Sequence, residues 1–266
     1  MPLEVIDVKL QVGQVGETIT VPASNGTRRG YLIEPGCNAM LIEPVAAMRL
    51  QLVPRILQVI FHDDSAAAYI DILKDSPRLL NRRLAGTTGI LGSMTASDSL
   101  YIGFAGQVGG LEVDMGTANA VAATLAAAYS RGGSGGLATL TVGSDGTAAA
   151  GATLGQDGLV VFTDPTDWGQ ATLRAFTGLP TAPVTDAMHW LRLRVSATLT
   201  AAITILRLTP IGIEAVGTDS TTAITGGMWL KATTEYSFGI ASEVGSIEII
   251  AQAAVATTAR ISWIRR

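Results

Sequence analysis

Two carboxylates stand three residues apart in "FTDPTDWGQ": Asp164 and Asp167, with a proline between them and a tryptophan directly behind. Paired carboxylates perform general acid and base work when a scissile bond sits between them, as in glycoside hydrolysis. The same letters also spell a turn, because an aspartate before proline accepts local backbone bonds and proline fixes φ at the next position. A spacing of three on a turn does not set two carboxylates across a substrate. The turn is therefore the expected role of the pair.

The nearest approach to a metal cluster is "FHDD", His62, Asp63 and Asp64. Successive side chains of a strand point to opposite faces, so His62 and Asp63 share an ion only if a turn brings them round. His189 is the second and last histidine, and Cys37 is the single cysteine. One cysteine makes neither an intrachain disulfide nor a thiolate cluster. "SRGGSGG" at 130–136 lacks the lysine and following helix of a phosphate cradle and reads as a hairpin turn. "SDGT" at 144–147 is an Asp-Gly hairpin signal rather than an ion loop. No catalytic residue, cofactor or metal is expected, and the chain reads as a non-enzyme.

The elements that must position these residues are strands. Val8, Leu10 and Val12 alternate with polar neighbours, as do Ile19 and Val21, and Leu57, Val59 and Phe61; period two is the strand signature. Asn25-Gly26 marks a hairpin turn. "LIEP" occurs at 32–35 and 41–44, each copy closing on a proline that ends a strand or sits at an edge. "TANAVAATLAAAYS" is ambiguous, because Val121, Leu125 and Tyr129 share a face in a helix and in a strand alike; its strand-like neighbours decide for strand. "KDSPRLLNRRLAGTTG" reads as a linker with a helical turn.

An all-β chain follows, built of antiparallel β-sandwich modules. Residues 1–80 form an N-terminal β domain, 81–210 a central sandwich, and 211–266 a C-terminal segment that returns to the first domain. The reason is that Ile247, Ile249 and Ala251, like Ile261 and Trp263, present apolar faces that need another sheet to cover them.

Apolar residues make up 48% of the 266 and charged residues only 15%, against about 25% charged in an ordinary domain. A surface so short of charge is expected to meet other protein, copies of itself included. The net charge of -4 gives no general attraction to phosphate backbones, so nucleic acid is not an expected partner. No apolar run is long and unbroken enough for a membrane helix. "MPLEVIDVKL" has no basic, then apolar, secretory signature, and synthesis in a cytoplasm is expected.

In "HWLRLRVS", Trp190, Arg192 and Arg194 share one strand face, and Arg with Trp is a composition typical of interfaces. Arg78, Arg82 and Arg83 in the linker read first as solvated charge, and second as a phosphate- or partner-binding patch. Trp168, Trp190, Trp229 and Trp263 would make a sugar-stacking platform if exposed, or core anchors if buried.

The order of motifs between about residues 98 and 210 resembles a β-sandwich module of structural proteins of tailed bacteriophages and prophages. The matching residues are Tyr129, Asp145 to Thr147, Gly158 to Phe162, Pro165 to Trp168, and Trp190 with Arg192 and Ser196. The chain departs from the module where a tryptophan follows the Tyr-Gly turn, having "GGSGGLATL" instead. The resemblance implies a virion protein, foremost a capsid decoration or cement protein made in the host cytoplasm. Its partners would be its own copies, as a homo-oligomer, and the major capsid protein. A tail, baseplate or fibre component, or a host-glycan-binding module, is the alternative.

Overall fold

The computed structural model describes residues 15–21, 30–32, 37–72, 94–132, 136–200, 203–212, 228–239, 244–251 and 255–265. The Asn25-Gly26 turn and the linker with Arg78, Arg82 and Arg83 lie outside the described residues. The first strands are β1 (Val15–Val21), β2 (Gly30–Leu32), β3 (Cys37–Pro44) and β4 (Met48–Pro54). Next come β5 (Ile56–Asp63), β6 (Ala68–Asp71), β7 (Ser99–Phe104), β8 (Gly110–Thr117), β9 (Leu125–Ser130), β10 (Leu137–Leu140), β11 (Val142–Asp145), β12 (Gly158–Phe162) and β13 (Gln170–Ala171). One short helix, α1 (Leu173–Thr177), precedes β14 (Met188–Val195) and β15 (Thr204–Ile211). The last strands are β16 (Met228–Leu230), β17 (Tyr236–Gly239), β18 (Val244–Ala251) and β19 (Thr257–Arg265). The chain is all-β, and among the described residues every strand pairing is antiparallel.

Two sheets interleave the two ends of the chain, in the orders β1-β19-β3-β17 and β16-β4-β18-β2. Their inner faces meet in one cluster that includes Ile19, Met40 and Ile42 from the first with Met48, Leu50, Ile247 and Ile249 from the second. Alternation explains the composition: Met48 and Leu50 are buried while Arg49 and Gln51 are only partly so. β3 ends at Pro44, where a missing N–H costs the ladder nothing.

The larger pair of layers is β10-β9-β14-β7-β5-β6, with β13 beside β14, stacked on β11-β12-β8-β15. Their shared core contains Phe61, Ile102, Phe104, Leu191 and Leu193 from one layer and Leu111, Val113, Val160 and Phe162 from the other. β5 and β6 belong to this sheet, through the β5–β7 ladder. Sheet membership therefore changes at Arg55, between β4 and β5, rather than near residue 80.

β7 is buried along its whole length, because its second face is also covered. That cover is α1. Thr172 caps it by accepting the Ala175 N–H, Gly178 ends it at φ 69, and Leu173 and Phe176 point inward. Together with Ile60, Tyr101, Ala182, Met188 and Trp190 they form a second small core on the outer side of the sheet.

The Asp-Gly signal at 145–146 does not make a tight hairpin between β11 and β12. Residues 146–157 form a longer excursion, and its two-residue turn falls at Ala150 (φ 50) and Gly151 (φ 82), closed by reciprocal Ala149–Ala152 backbone bonds. Asp145 instead braces the loop: Oδ1 accepts the Thr147 N–H at 3.0 Å, and Oδ2 accepts the Thr153 hydroxyl at 2.6 Å.

Candidate interaction surface

Asp164 and Asp167 go separate ways. Asp167 accepts the Tyr129 hydroxyl at 2.5 Å and pairs with Arg131 Nε at 3.0 Å. Asp164 is exposed, and partial desolvation raises its carboxyl above the ordinary value. Between them the chain turns a corner anchored by Trp168, 2% exposed, against Phe104 and Tyr129 with ring centroids 6.4 and 6.0 Å away. Gln107 Nε2 donates to the Trp168 carbonyl at 2.6 Å, and the Ser130 hydroxyl donates to that of Gly169 at 2.7 Å. At Gly169 the backbones touch: an added Cβ would lie 2.3 Å from Gly132 Cα. This is a structural corner in which Asp167 is a brace.

The "FHDD" residues are likewise taken up by the fold. His62 is buried and stacks on Tyr69 at 4.3 Å. Asp63 Oδ1 accepts the Ser65 hydroxyl at 2.7 Å and the Ala66 N–H at 3.1 Å, which holds its carboxyl below the usual range. The Asp64 N–H donates to Asp98, whose other oxygen accepts the Thr95 N–H. Among the described residues no three His, Cys, Asp or Glu side chains converge as metal ligands would. His189 packs edge-on to Trp168 at 6.5 Å, and burial lowers its pKa.

The expected interface strand needs a correction. Trp190, Arg192 and Arg194 do share a face of β14, but Trp190 is wholly buried. Its backbone N–H donates to Ser130 Oγ at 3.0 Å and its indole N–H to the Ala171 carbonyl at 2.8 Å. The physical reason is α1, which roofs that end of the sheet. Trp168 and Trp190 are thus core anchors, and neither offers a face to a sugar. The Trp229 and Trp263 side chains lie outside the described residues.

Arg192 and Arg194, beyond the roof, are half-buried and make no ion pair among the described residues. Arg194 donates from Nε to Ser99 Oγ at 3.0 Å and from Nη2 to the Ser97 carbonyl at 2.6 Å, both neutral acceptors. Burial first, and the Arg194 charge second, lower the Arg192 pKa, while the Tyr101 hydroxyl opposes them. Two like charges on an open sheet with neutral acceptors leave a field that an incoming carboxylate would neutralise.

A second surface had no signal in the sequence. On the outer side of the β1-β19-β3-β17 sheet, Leu41, Glu43, Glu235, Arg260 and Ser262 line a shallow depression of about 150 Å³. Arg260 lies opposite Glu43, and Glu235 precedes the Tyr236–Ile42 pair. Two acids from distant segments meet only because β17 returns beside β3. Comparison with protein-family models, with curated proteins and with solved structures finds no match to this chain.

Proposed function

We propose that this chain is a non-enzymatic virion structural protein of a tailed bacteriophage, foremost an auxiliary head protein that associates with its own copies and with the major capsid protein. The observation that carries the reading is the fate of the reactive-looking residues. Asp145, Asp167, His62 and Trp190, which would be the parts of a site, are spent bracing turns and filling cores. What they leave on the described surface is sparsely charged sheet that includes the half-buried Arg192–Arg194 pair.

The resemblance of residues 98–210 to phage sandwich modules points the same way, since its shared residues fall at turns and core positions. Many copies on a symmetric shell are held by individually weak contacts, because multivalent attachment multiplies avidity without new chemistry. The test uses heads and tails separated from the particle whose genome encodes the chain. Labelled protein should co-sediment with heads; binding to tails alone, or to neither, overturns the assignment.

A further inference from the structure

We propose that the outer face of the β10-β9-β14-β7-β5-β6 sheet, through Arg192 and Arg194, receives the Glu43–Glu235 face of a second copy of this chain. This deepens the self-association assumed above and rests on it.

Three observations carry it. First, both guanidinium groups are half-buried and have only neutral partners among the described residues. Among the described strands of this sheet, the acid that shares their face, Asp71, sits three strands away on β6, about 14 Å at ordinary strand spacing. It also accepts the Gln58 side chain.

Second, the residues beside the pair are small. Arg192 lies opposite Ala128, and Arg194 opposite Ala126, with Thr139 beyond Ala128. Leu137 at the margin is 37% exposed and gives an incoming surface an apolar contact. The long guanidinium side chains therefore stand beside short ones, of which Ala126 and Thr139 are exposed and Ala128 is covered.

Third, the chain carries a complementary surface of its own. Glu43 and Glu235 are exposed and line one depression with a single cation, Arg260. The net charge is -4 even with Arg192 and Arg194 counted, so the rest of the surface is more acidic still. Planar guanidinium forks match carboxylates in a bidentate way. A polyanionic nucleic acid is the poorer fit, because two cations release few counterions.

A basic face that meets a different, acidic face is a heterologous contact, which closes into rings or extends into arrays. The experiment is sedimentation velocity of the full chain over a concentration series at low and high salt. Four proteins are compared: wild type, Arg192→Glu/Arg194→Glu, Glu43→Arg/Glu235→Arg, and the four substitutions combined. Arg192→Gln/Arg194→Gln serves as a milder variant that keeps hydrogen-bonding groups, and circular dichroism checks each fold.

Wild type should associate in a salt-sensitive way. Each reversed pair should weaken association at least tenfold, and the combination should restore it. A wild type that stays monomeric, a folded reversal that associates unchanged, or a combination without recovery overturns the assignment. So does wild-type binding to duplex DNA at physiological salt that Arg192→Gln/Arg194→Gln abolishes. Head binding is scored separately: a monomer that binds heads removes this contact and leaves the function, whereas an associating chain that ignores heads does the reverse.

Discussion

The Tyr129 hydroxyl donates to Asp167 at 2.5 Å, tying the end of β9 to the corner after β12. The ring of Tyr129 belongs to the core while its hydroxyl reaches the surface, and Arg131 holds the second carboxylate oxygen. One aspartate of the suggestive pair is thereby fixed by two residues of a neighbouring segment.

This bond has an alkaline signature. Asp167 stabilises the protonated phenol, so the Tyr129 pKa is raised above the ordinary 10.0. A raised folded value means that the stabilisation is complete below pH 10 and is lost as pH rises through the folded pKa. In an ultraviolet titration, Asp167→Asn should bring one tyrosine back toward the ordinary value. Tyr69, raised mainly by burial, should not follow. An unchanged titration curve would remove the bond.

Asp164 should behave in the opposite sense from an ordinary brace. Its carboxyl is raised above 3.8 by desolvation alone, so the charged form is disfavoured in the folded state. The favourable contribution exists below pH 3.8 and disappears as pH climbs through the folded value. Asp164→Asn should therefore raise the urea midpoint slightly at neutral pH and not in acid. A fall in the neutral midpoint would point to a partner for Asp164.

Trp190 is the anchor of the small core beneath α1. Trp190→Ala should cost about 3–5 kcal/mol, the range for emptying a buried aromatic site, read from urea denaturation. Trp190→Phe keeps most of the volume but loses the bond to Ala171, and should cost less. A change below about 1 kcal/mol for the alanine variant would mean that the roof collapses onto the gap or was never packed.

Gly169 should tolerate no side chain. Its missing Cβ would meet Gly132 Cα at 2.3 Å and Gly132 N at 2.6 Å, and backbone cannot swing aside as a side chain tip can. Gly169→Ala should lower stability by about 1–3 kcal/mol, as other overpacked sites do. Neutral behaviour would show that the corner opens freely.

The strands were legible because alternation reports burial directly: "LRLRV" alternates buried and half-buried along β14. What alternation could not reveal was that Trp190, on the more polar of its two faces, is buried as deeply as Leu191. That depends on α1, whose cap Thr172, apolar Leu173 and Phe176, and terminal Gly178 are all present in "TLRAFTG". Five residues are too few for a helical period to stand out. The Asp145 brace was hidden for another reason: Asp-Gly is a local signal, whereas its partner Thr153 is supplied by the far side of the loop. Glu43 and Glu235 carried no signal, because strand pairing between distant segments brings them together.

The pairing of β1 with β19, Val15 opposite Trp263, sets an order on biosynthesis. Among the described residues β1 to β4 pair only with β16 to β19, so as the polypeptide emerges from the ribosome the middle layers can pack while the first strands wait. Contacts of such sequence separation close slowly, and for that interval the edges of the waiting strands are open to mispairing.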